Sequence, residues 1–148
     1  MLDKKKRLVA SRQKARHYAV QGLYQWQMND SSWSEIASQF LTEYSLKKQE
    51  ATYFKLLLQN CVDRAEEFDQ LLLPHMDRSV AEVGCVELAV LRLGCFELKE
   101  GIDIPYRVVI NESVNLAKKF AATDSYKFIN GVLDKLALEL REIEISQK

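Results

Sequence analysis

Residues 111–120 read NESVNLAKKF and residues 125–134 read SYKFINGVLD, and these two stretches decide the fold. In both, apolar residues recur with the 3.6-residue period of an α-helix. A short polar break separates them, so the sequence predicts a helix, a tight connection and a second helix. The apolar stripe of the first helix consists of Ile110, Val114, Ala117 and Ala121. The stripe of the second helix is aliphatic throughout: Ile129, Val132, Leu133, Leu136, Leu140 and Ile143.

Two phenylalanines lie at the edges of these stripes. Phe120 and Phe128 project roughly 80–100° from the stripe centres at ~100° per residue. A ring at a stripe edge can keep one face in water, which a platform for stacking RNA bases requires. The alternative is that both rings close the rim of the core. We expect Asp124 or Ser125 to cap the second helix through a side-chain oxygen.

Composition indicates one all-α domain over residues 1–148. The chain has 47% apolar and 28% charged residues, which are ordinary values for a globular protein. The chain has only five glycines and two prolines, which are few turn-forming residues for a fold with many strands. No stretch alternates apolar and polar residues as a strand does. The sequence therefore predicts a compact bundle of about six or seven helices.

Positive charge is concentrated at the N-terminus. Residues 1–16 carry seven lysines and arginines against one aspartate, whereas the whole chain has 21 residues of each sign. Residues 1–8 are expected to form a frayed basic arm on an acidic body. Such an asymmetry suggests an anionic partner for the arm. A merely solvated tail is the other interpretation.

The first helix is expected to run from about residue 8 to Met28. Its helical projection places Gln13, Arg16, Val20 and Tyr24 on one side. A cation there could meet a phosphate while the aromatic ring meets a base. Packing of Tyr24 at the core rim, with its hydroxyl in water, is the alternative.

The middle of the chain predicts two helices: a long one, and after it one that lies at the centre of the bundle. Apolar spacing indicates a helix from about Gln49 to Leu73, which Pro74 ends. Ser79 and Glu82 have the spacing of a capping box for the next helix. Residues 83–98 are apolar on almost all sides, as expected of the central helix of a bundle, and Gly101 closes it.

Several classes of function lack support. Three cysteines without CxxC spacing and two distant histidines favour reduced thiols and no metal site. No signal peptide and no membrane span are apparent, so we expect a soluble cytoplasmic protein. No acids, metal ligands or nucleophile–base pair have the spacing of a catalytic site. We therefore expect neither an enzyme nor a cofactor.

Four stretches resemble the motifs of the NusB family of bacterial transcription antitermination factors. They are residues 12–26, 86–98, 105–120 and 127–134. The resemblance implies an all-helical fold of two packed halves. It also implies that the protein binds the boxA element of ribosomal RNA leaders together with NusE, a protein of the small ribosomal subunit. The pair helps RNA polymerase to read through terminators.

The resemblance also implies roles for individual residues. The RNA-contacting positions correspond to Arg12, Lys14, Arg16, Tyr24, Phe120, Asp124 and Phe128. Contacts with NusE correspond to Glu87 and, more weakly, Tyr18. Gln13 and His75 depart from the family pattern: relatives often carry Arg at the first position and an aromatic at the second. His75 is expected to be an exposed loop residue or, alternatively, a base-stacking one.

Two other functions stay open at this point, as does the oligomeric state. Helical domains of this kind also occur in front of ribosomal RNA methyltransferases, so an RNA-binding module acting with such an enzyme is one alternative. A helical protein-interaction module without any RNA role is the other. Some relatives form homodimers, and the sequence leaves monomer and homodimer equally open.

Overall fold

The computed structural model describes residues 2–147, and side chains from residue 3 onward. Met1 and Lys148 lie outside the described residues. Within this range the chain forms eight α-helices, two short 3₁₀ turns and no strand, which confirms the all-α prediction. The helices are α1 (Leu2–Met28), α2 (Trp33–Glu43), α3 (Lys48–Asp63), α4 (Ala65–Leu72), α5 (Cys85–Glu100), α6 (Tyr106–Phe120), α7 (Ser125–Leu140) and α8 (Glu142–Ser146).

The chain divides into two compact units, Met1–Asp63 and Arg64–Lys148. The single helix predicted from Gln49 to Leu73 is therefore wrong: α3 ends at Asp63 and α4 begins at Ala65. Between them Arg64 has φ −113° and ψ 24°, outside the helical region. The apolar spacing did not reveal this interruption, because the apolar residues before and after it keep the same helical phase.

In the first unit, α1 packs with α2 and α3. The face of α1 that carries Ala15, Ala19 and Leu23 is buried. Gly22 allows a close approach, since a Cβ there would lie 3.2 Å from Leu58 Cδ1. Unlike the frayed arm expected over residues 1–8, α1 begins at Leu2. The lysines, arginine and leucine there are good helix formers, and extending a packed helix costs less than starting one.

In the second unit, α5 is the central helix. Every residue from Leu88 to Leu98 is buried, as the apolar sequence of residues 83–98 predicted. Gly94 lets α6 and α7 approach α5, because a Cβ there would lie 2.8 Å from Leu133 Cδ1 and 3.0 Å from Ser113 Oγ. A side chain at this position would require the side chains of Leu133 and Ser113 to shift.

The ends of α5 and α7 differ in part from the prediction. Ser79 and Glu82 do form a capping box, but it caps a 3₁₀ turn, and α5 begins only after Gly84. Gly101 follows the last residue of α5, as predicted. Ile143 does not continue the stripe of α7, because α7 ends at Leu140 and Ile143 is 74% exposed in α8.

Arg141 closes the C-terminal end of α5. Its buried guanidinium donates hydrogen bonds to the backbone carbonyls of Glu97 (3.1 Å), Leu98 (2.7 Å), Gly101 (2.9 Å) and Ile104 (2.9 Å). Its charge is balanced by the Glu144 carboxylate at 2.6 Å. The last carbonyls of a helix have no partner within the helix. Arg141 donates to two carbonyls of α5, those of Glu97 and Leu98, and to two of the connection that follows. The carbonyls of Glu97 and Gly101 also accept the backbone N–H groups of Gly101 and Ile104.

Replacing Arg141 with Met should lower the free energy of unfolding by about 3–5 kcal/mol, because four backbone carbonyls each lose one donor and the Glu144 carboxylate loses its cationic partner. The measurement is urea unfolding followed by circular dichroism. Arg107→Met is the control, since Arg107 is exposed on α6. A loss below about 1 kcal/mol at Arg141 would contradict this role.

An exposed ionic network joins the start of α4 to the end of α5. The Arg64 guanidinium contacts Glu67 at 2.8 Å and Glu100 at 2.9 Å, and Lys99 Nζ lies 2.9 Å from Glu67. Hydrogen bonds from Arg64 and Lys99 lower the pKa of Glu67 from 4.5 to about 2. The folded state therefore favours the ionised carboxylate.

The contribution of Glu67 to stability should be fully present above pH 4.5 and lost as pH falls towards 2. In Glu67→Gln, stability should consequently fall less steeply over this window than in the unmodified protein. Urea midpoints measured at pH steps from 6 to 2 provide the test, with Glu66→Gln as the control. Identical pH profiles for Glu67→Gln and the unmodified chain would refute the assignment.

Candidate nucleic-acid interface

The exposed part of α1 in the first unit is strongly cationic. Lys4, Lys5, Lys6 and Arg7 are all exposed within its first two turns. Arg7 Nε donates to the carbonyl of Asp3 at 3.2 Å. Because the segment is already helical, its charges lie at a fixed spacing along one helix. This region is a compact source of positive potential for an anionic ligand.

Tyr24 lies further along the same helix and is 43% exposed. Its predicted exposure is confirmed, so one part of its ring is accessible to a base. Arg12 is half-buried, with Cζ 5.4 Å from the centroid of the Tyr53 ring on α3. That contact holds a cation and an aromatic ring side by side.

Lys14, another predicted cation of α1, makes contacts within its unit while its side chain is 41% exposed. Lys14 Nζ donates to the Ser45 carbonyl at 3.2 Å and lies 3.5 Å from the Glu50 carboxylate. Glu50 also accepts the backbone N–H of Lys47 at 2.8 Å, just before α3. Lys14 therefore links α1 to the start of α3.

Arg16 is only 3% exposed, and Val20 only 1%. The expectation that both share an open face with Gln13 and Tyr24 is thus wrong for these two residues, although Gln13 is exposed. A helical projection gives the direction of a side chain, but it does not show what covers that side chain. The guanidinium of Arg16 lies inside the protein instead of on its surface.

In the second unit, cations lie over the aromatic rings near the connection between α6 and α7. Phe120 and Phe128 are half-buried, as their stripe-edge positions predicted. Arg78 Cζ lies 4.1 Å from the centroid of the Phe128 ring, and Lys119 Nζ lies 5.6 Å from that of Phe120. Lys118 Nζ lies 4.7 Å from the Tyr126 ring. We call these three the cation–aromatic pairs.

Sequence reasoning missed four members of these pairs: Arg78, Lys118, Lys119 and Tyr126. The lysines and Tyr126 stand beside the two phenylalanines in the chain, and this local clustering could have revealed them. Arg78 lies in the turn before α5, far from Phe128 in sequence, and only the tertiary structure brings the two together. The Asp77 carboxylate, 2.8 Å from Arg78 Nε, helps to orient the guanidinium.

Asp124 occupies the N-cap position of α7, but its side chain makes no capping hydrogen bond. That detail of the prediction is wrong. Its backbone is left-handed (φ 72°, ψ −3°), a conformation that Asp tolerates better than most residues. The exposed carboxylate lies 3.6 Å from Lys127 Nζ. It therefore faces solvent beside the cation–aromatic pairs.

The two residues predicted to contact a partner protein, Glu87 and Tyr18, each contact residues of their own unit. Glu87 accepts a hydrogen bond from Ser125 Oγ at 2.8 Å, which links the start of α5 to the start of α7. Tyr18 packs its ring against Tyr44, with centroids 4.6 Å apart, and against His17 at 4.9 Å. Both side chains are half-buried. Their role towards a partner stays a prediction.

His75 lies in a 3₁₀ turn (Leu73–His75) and its side chain is 18% exposed. Its Nε2 lies 3.0 Å from a carboxylate oxygen of Glu139 on α7. The expectation of an exposed loop residue is therefore wrong. This hydrogen bond connects the turn after α4 to α7.

The cysteines and the possible metal ligands take the following places in the structure. Cys61 and Cys95 are buried free thiols, and burial raises the pKa of Cys95 to about 12. Cys85, by contrast, is only half-buried. Residues 2–147 contain no group of His, Cys, Asp and Glu placed to hold a metal ion. None of the helices in that range is both long and apolar enough to cross a membrane.

The helices and the exposed cations beside aromatic rings define an all-α protein with the surface chemistry of RNA binding. A model described as the NusB family matches residues 13–138. Transcription antitermination protein NusB of Alcanivorax borkumensis is 49% identical over 139 residues, 94% of this chain and 93% of that relative. The protein of the same name from Pectobacterium carotovorum is 47% identical over 133 residues, 90% and 96% of the two chains. The chain belongs to the NusB family.

Two solved structures share the fold. NusB of T. maritima superimposes with a TM-score of 0.81 at 28% identity, covering 86% of this chain and 91% of that one. A crystal structure of the antitermination factors NusB and NusE in complex with dsRNA gives a TM-score of 0.80 at 31% identity, covering 88% and 98%.

The left-handed backbone at Asp124 predicts an unequal response to substitution. Asp124→Asn should leave stability nearly unchanged, whereas Asp124→Val should lower the free energy of unfolding by about 1–2 kcal/mol, because a β-branched residue resists this conformation. Thermal and urea unfolding provide the measurement. Equal stability of the two variants would show that the connection tolerates another conformation.

Proposed function

We propose that this chain is a transcription antitermination factor that binds boxA RNA of ribosomal RNA leader transcripts together with NusE and promotes read-through by RNA polymerase. The observation that carries the proposal is its 49% identity to an antitermination protein over 94% of the chain. A solved relative in complex with NusE and dsRNA supports RNA and NusE as partners. The protein acts as one RNA-binding domain in the cytoplasm, without catalysing a reaction.

The first step of binding is electrostatic. The exposed cations from Lys4 to Arg7 attract the phosphate backbone and release its counterions, so affinity falls as salt rises. The helical form of this segment favours tight binding, because little conformational entropy remains to be lost. Arg12, held against Tyr53, continues this cationic surface along α1.

Bases then stack on exposed aromatic rings. Tyr24 offers an accessible ring on α1, and Phe120 and Phe128 offer half-buried rings in the second unit. Each base that stacks on such a ring contributes on the order of 1–3 kcal/mol. The cations of the cation–aromatic pairs add positive charge beside the stacked bases. The Asp124 carboxylate accepts a hydrogen bond from a base amino group.

Two predicted RNA contacts fit a different role. The burial of Arg16 and the ion pair of Lys14 with Glu50 support them as residues that hold α1 in position. They would affect RNA binding through the placement of Arg12 and Tyr24. For NusE, we propose one contact at Glu87 in the second unit and one at Tyr18 in the first, since both residues keep part of their side chains exposed.

The test is a titration of labelled boxA RNA, with a scrambled RNA as control, in the presence and absence of NusE. Tyr24→Ala and Phe128→Ala should each weaken boxA binding roughly 5- to 150-fold, because each removes a stacking surface. Tyr106→Ala, which alters a cation-paired ring at the other end of α6, should leave binding unchanged.

The same titration at two salt concentrations separates charge from stacking. Replacing Lys4, Lys5 and Lys6 together with Gln should reduce the slope of log affinity against log salt by about two, at ~0.7 per phosphate contact on a single strand. The aromatic variants should keep the original slope. Equal affinity for boxA and scrambled RNA with NusE present would overturn the proposed function.

A further inference from the structure

A groove opens at the C-terminal end of the second unit, where the end of α5, the connection to α6, the end of α7 and α8 meet. Its volume is about 660 Å³. We call it the C-terminal groove and define it by Ile102, Asp103, Glu139, Glu142, Ile143 and Glu144, which line it. None of these residues belongs to the surface assigned above to RNA or to NusE.

Two isoleucines give this groove an apolar surface in contact with water. Ile102 is 76% exposed and Ile143 is 74% exposed. Single exposed aliphatic residues are common, but two side chains lining one concave site provide apolar area that a partner can bury. Covering this area would release water from both residues.

The polar residues of the C-terminal groove are mainly acidic. Four carboxylates line it, from Asp103, Glu139, Glu142 and Glu144, against two cations, Lys99 and Arg141. Some of these groups already have partners: buried Arg141 is bonded to Glu144, Glu139 lies 3.0 Å from His75 Nε2, and Lys99 Nζ lies 2.9 Å from Glu67. The lining as a whole still carries four acidic residues against two basic ones. The groove therefore presents negative charge around its isoleucines.

The walls of the groove are held in place before any partner arrives. Arg141 joins α8 to the carbonyls of Leu98, Gly101 and Ile104 through hydrogen bonds of 2.7–2.9 Å. A preformed site loses little conformational entropy when it binds. This rigidity favours recognition of a defined segment.

The groove is remote, within its unit, from the residues proposed for RNA and NusE. Along α5, Leu98 is eleven residues from Glu87, or roughly 16 Å at 1.5 Å per residue. Along α7, Leu140 is twelve residues from Phe128, or roughly 18 Å. A ligand in the groove would leave those residues accessible. The carboxylates repel phosphate, so a nucleic acid does not fit here.

We propose that the C-terminal groove binds a basic, amphipathic helical segment of a partner protein. Apolar side chains on one face of that segment would cover Ile102 and Ile143, and lysines or arginines beside them would meet the acidic lining. The site adds a second protein contact to the proposed antitermination factor, and it does not depend on that function being correct.

The probe is a synthetic 14-residue helix of lysines and leucines with the leucines on one face. Fluorescence anisotropy gives its affinity for the full chain, and NMR spectra of isoleucine methyl groups locate it. We expect the signals of Ile102 and Ile143 to shift first. Ile143→Asp should weaken binding at least tenfold, as should Glu142→Lys. Leu56→Asp, at an exposed position on α3, should bind the peptide normally.

Two matched peptides test the chemistry. A peptide with Glu in place of Lys should not bind, and one with Ala in place of Leu should bind at least tenfold more weakly. The proposal is overturned if Ile143→Asp binds the basic peptide as well as the unmodified chain, or if the acidic peptide binds equally well. Sedimentation that reveals a dimer lost in Ile143→Asp would also overturn it, because a second copy would then occupy the groove. BoxA binding by Ile143→Asp reports separately on the proposed function.

Discussion

The Arg141 guanidinium closes the end of α5, the buried central helix of the second unit. A helix that is covered on all sides gains much apolar burial, but its last carbonyls also lose access to water. One guanidinium donates to two carbonyls of this helix end, those of Glu97 and Leu98, and to two carbonyls of the connection that follows, while Glu144 balances its charge. The last turn of α5 and the chain after it are thereby held together.

The cationic residues of this protein fall into two groups: those paired with carboxylates that hold helices together, and those exposed to solvent. Arg92 forms two hydrogen bonds with Asp69, at 2.9 and 2.7 Å, and Lys14 is paired with Glu50. These cations are committed to partners that hold helices together. The cations at the start of α1 are exposed and keep their charge available to a ligand. A basic residue type therefore says little about RNA binding until its surroundings are known.

The aromatic residues divide in the same way. Tyr18 and Phe40 pack within a cluster of rings, whereas Tyr24 keeps its ring partly in water. In the second unit, Phe128 is half-buried and carries Arg78 on its face. Such a ring is fixed by packing and remains partly exposed, and the planar guanidinium on its face can itself stack on a base. This arrangement suits base stacking, because the platform does not need to be ordered on binding.

The sequence by itself determined the helical class, the central place of α5 and the partial exposure of Tyr24, Phe120 and Phe128. Each of these follows from periodicity, which reports the direction of a side chain relative to its own helix. Only the tertiary structure decided the break at Arg64, the burial of Arg16, the carbonyl contacts of Arg141 and the pairing of Arg78 with Phe128. These depend on residues distant in the chain, and the free energy that fixes them arises only when the helices pack and exclude water.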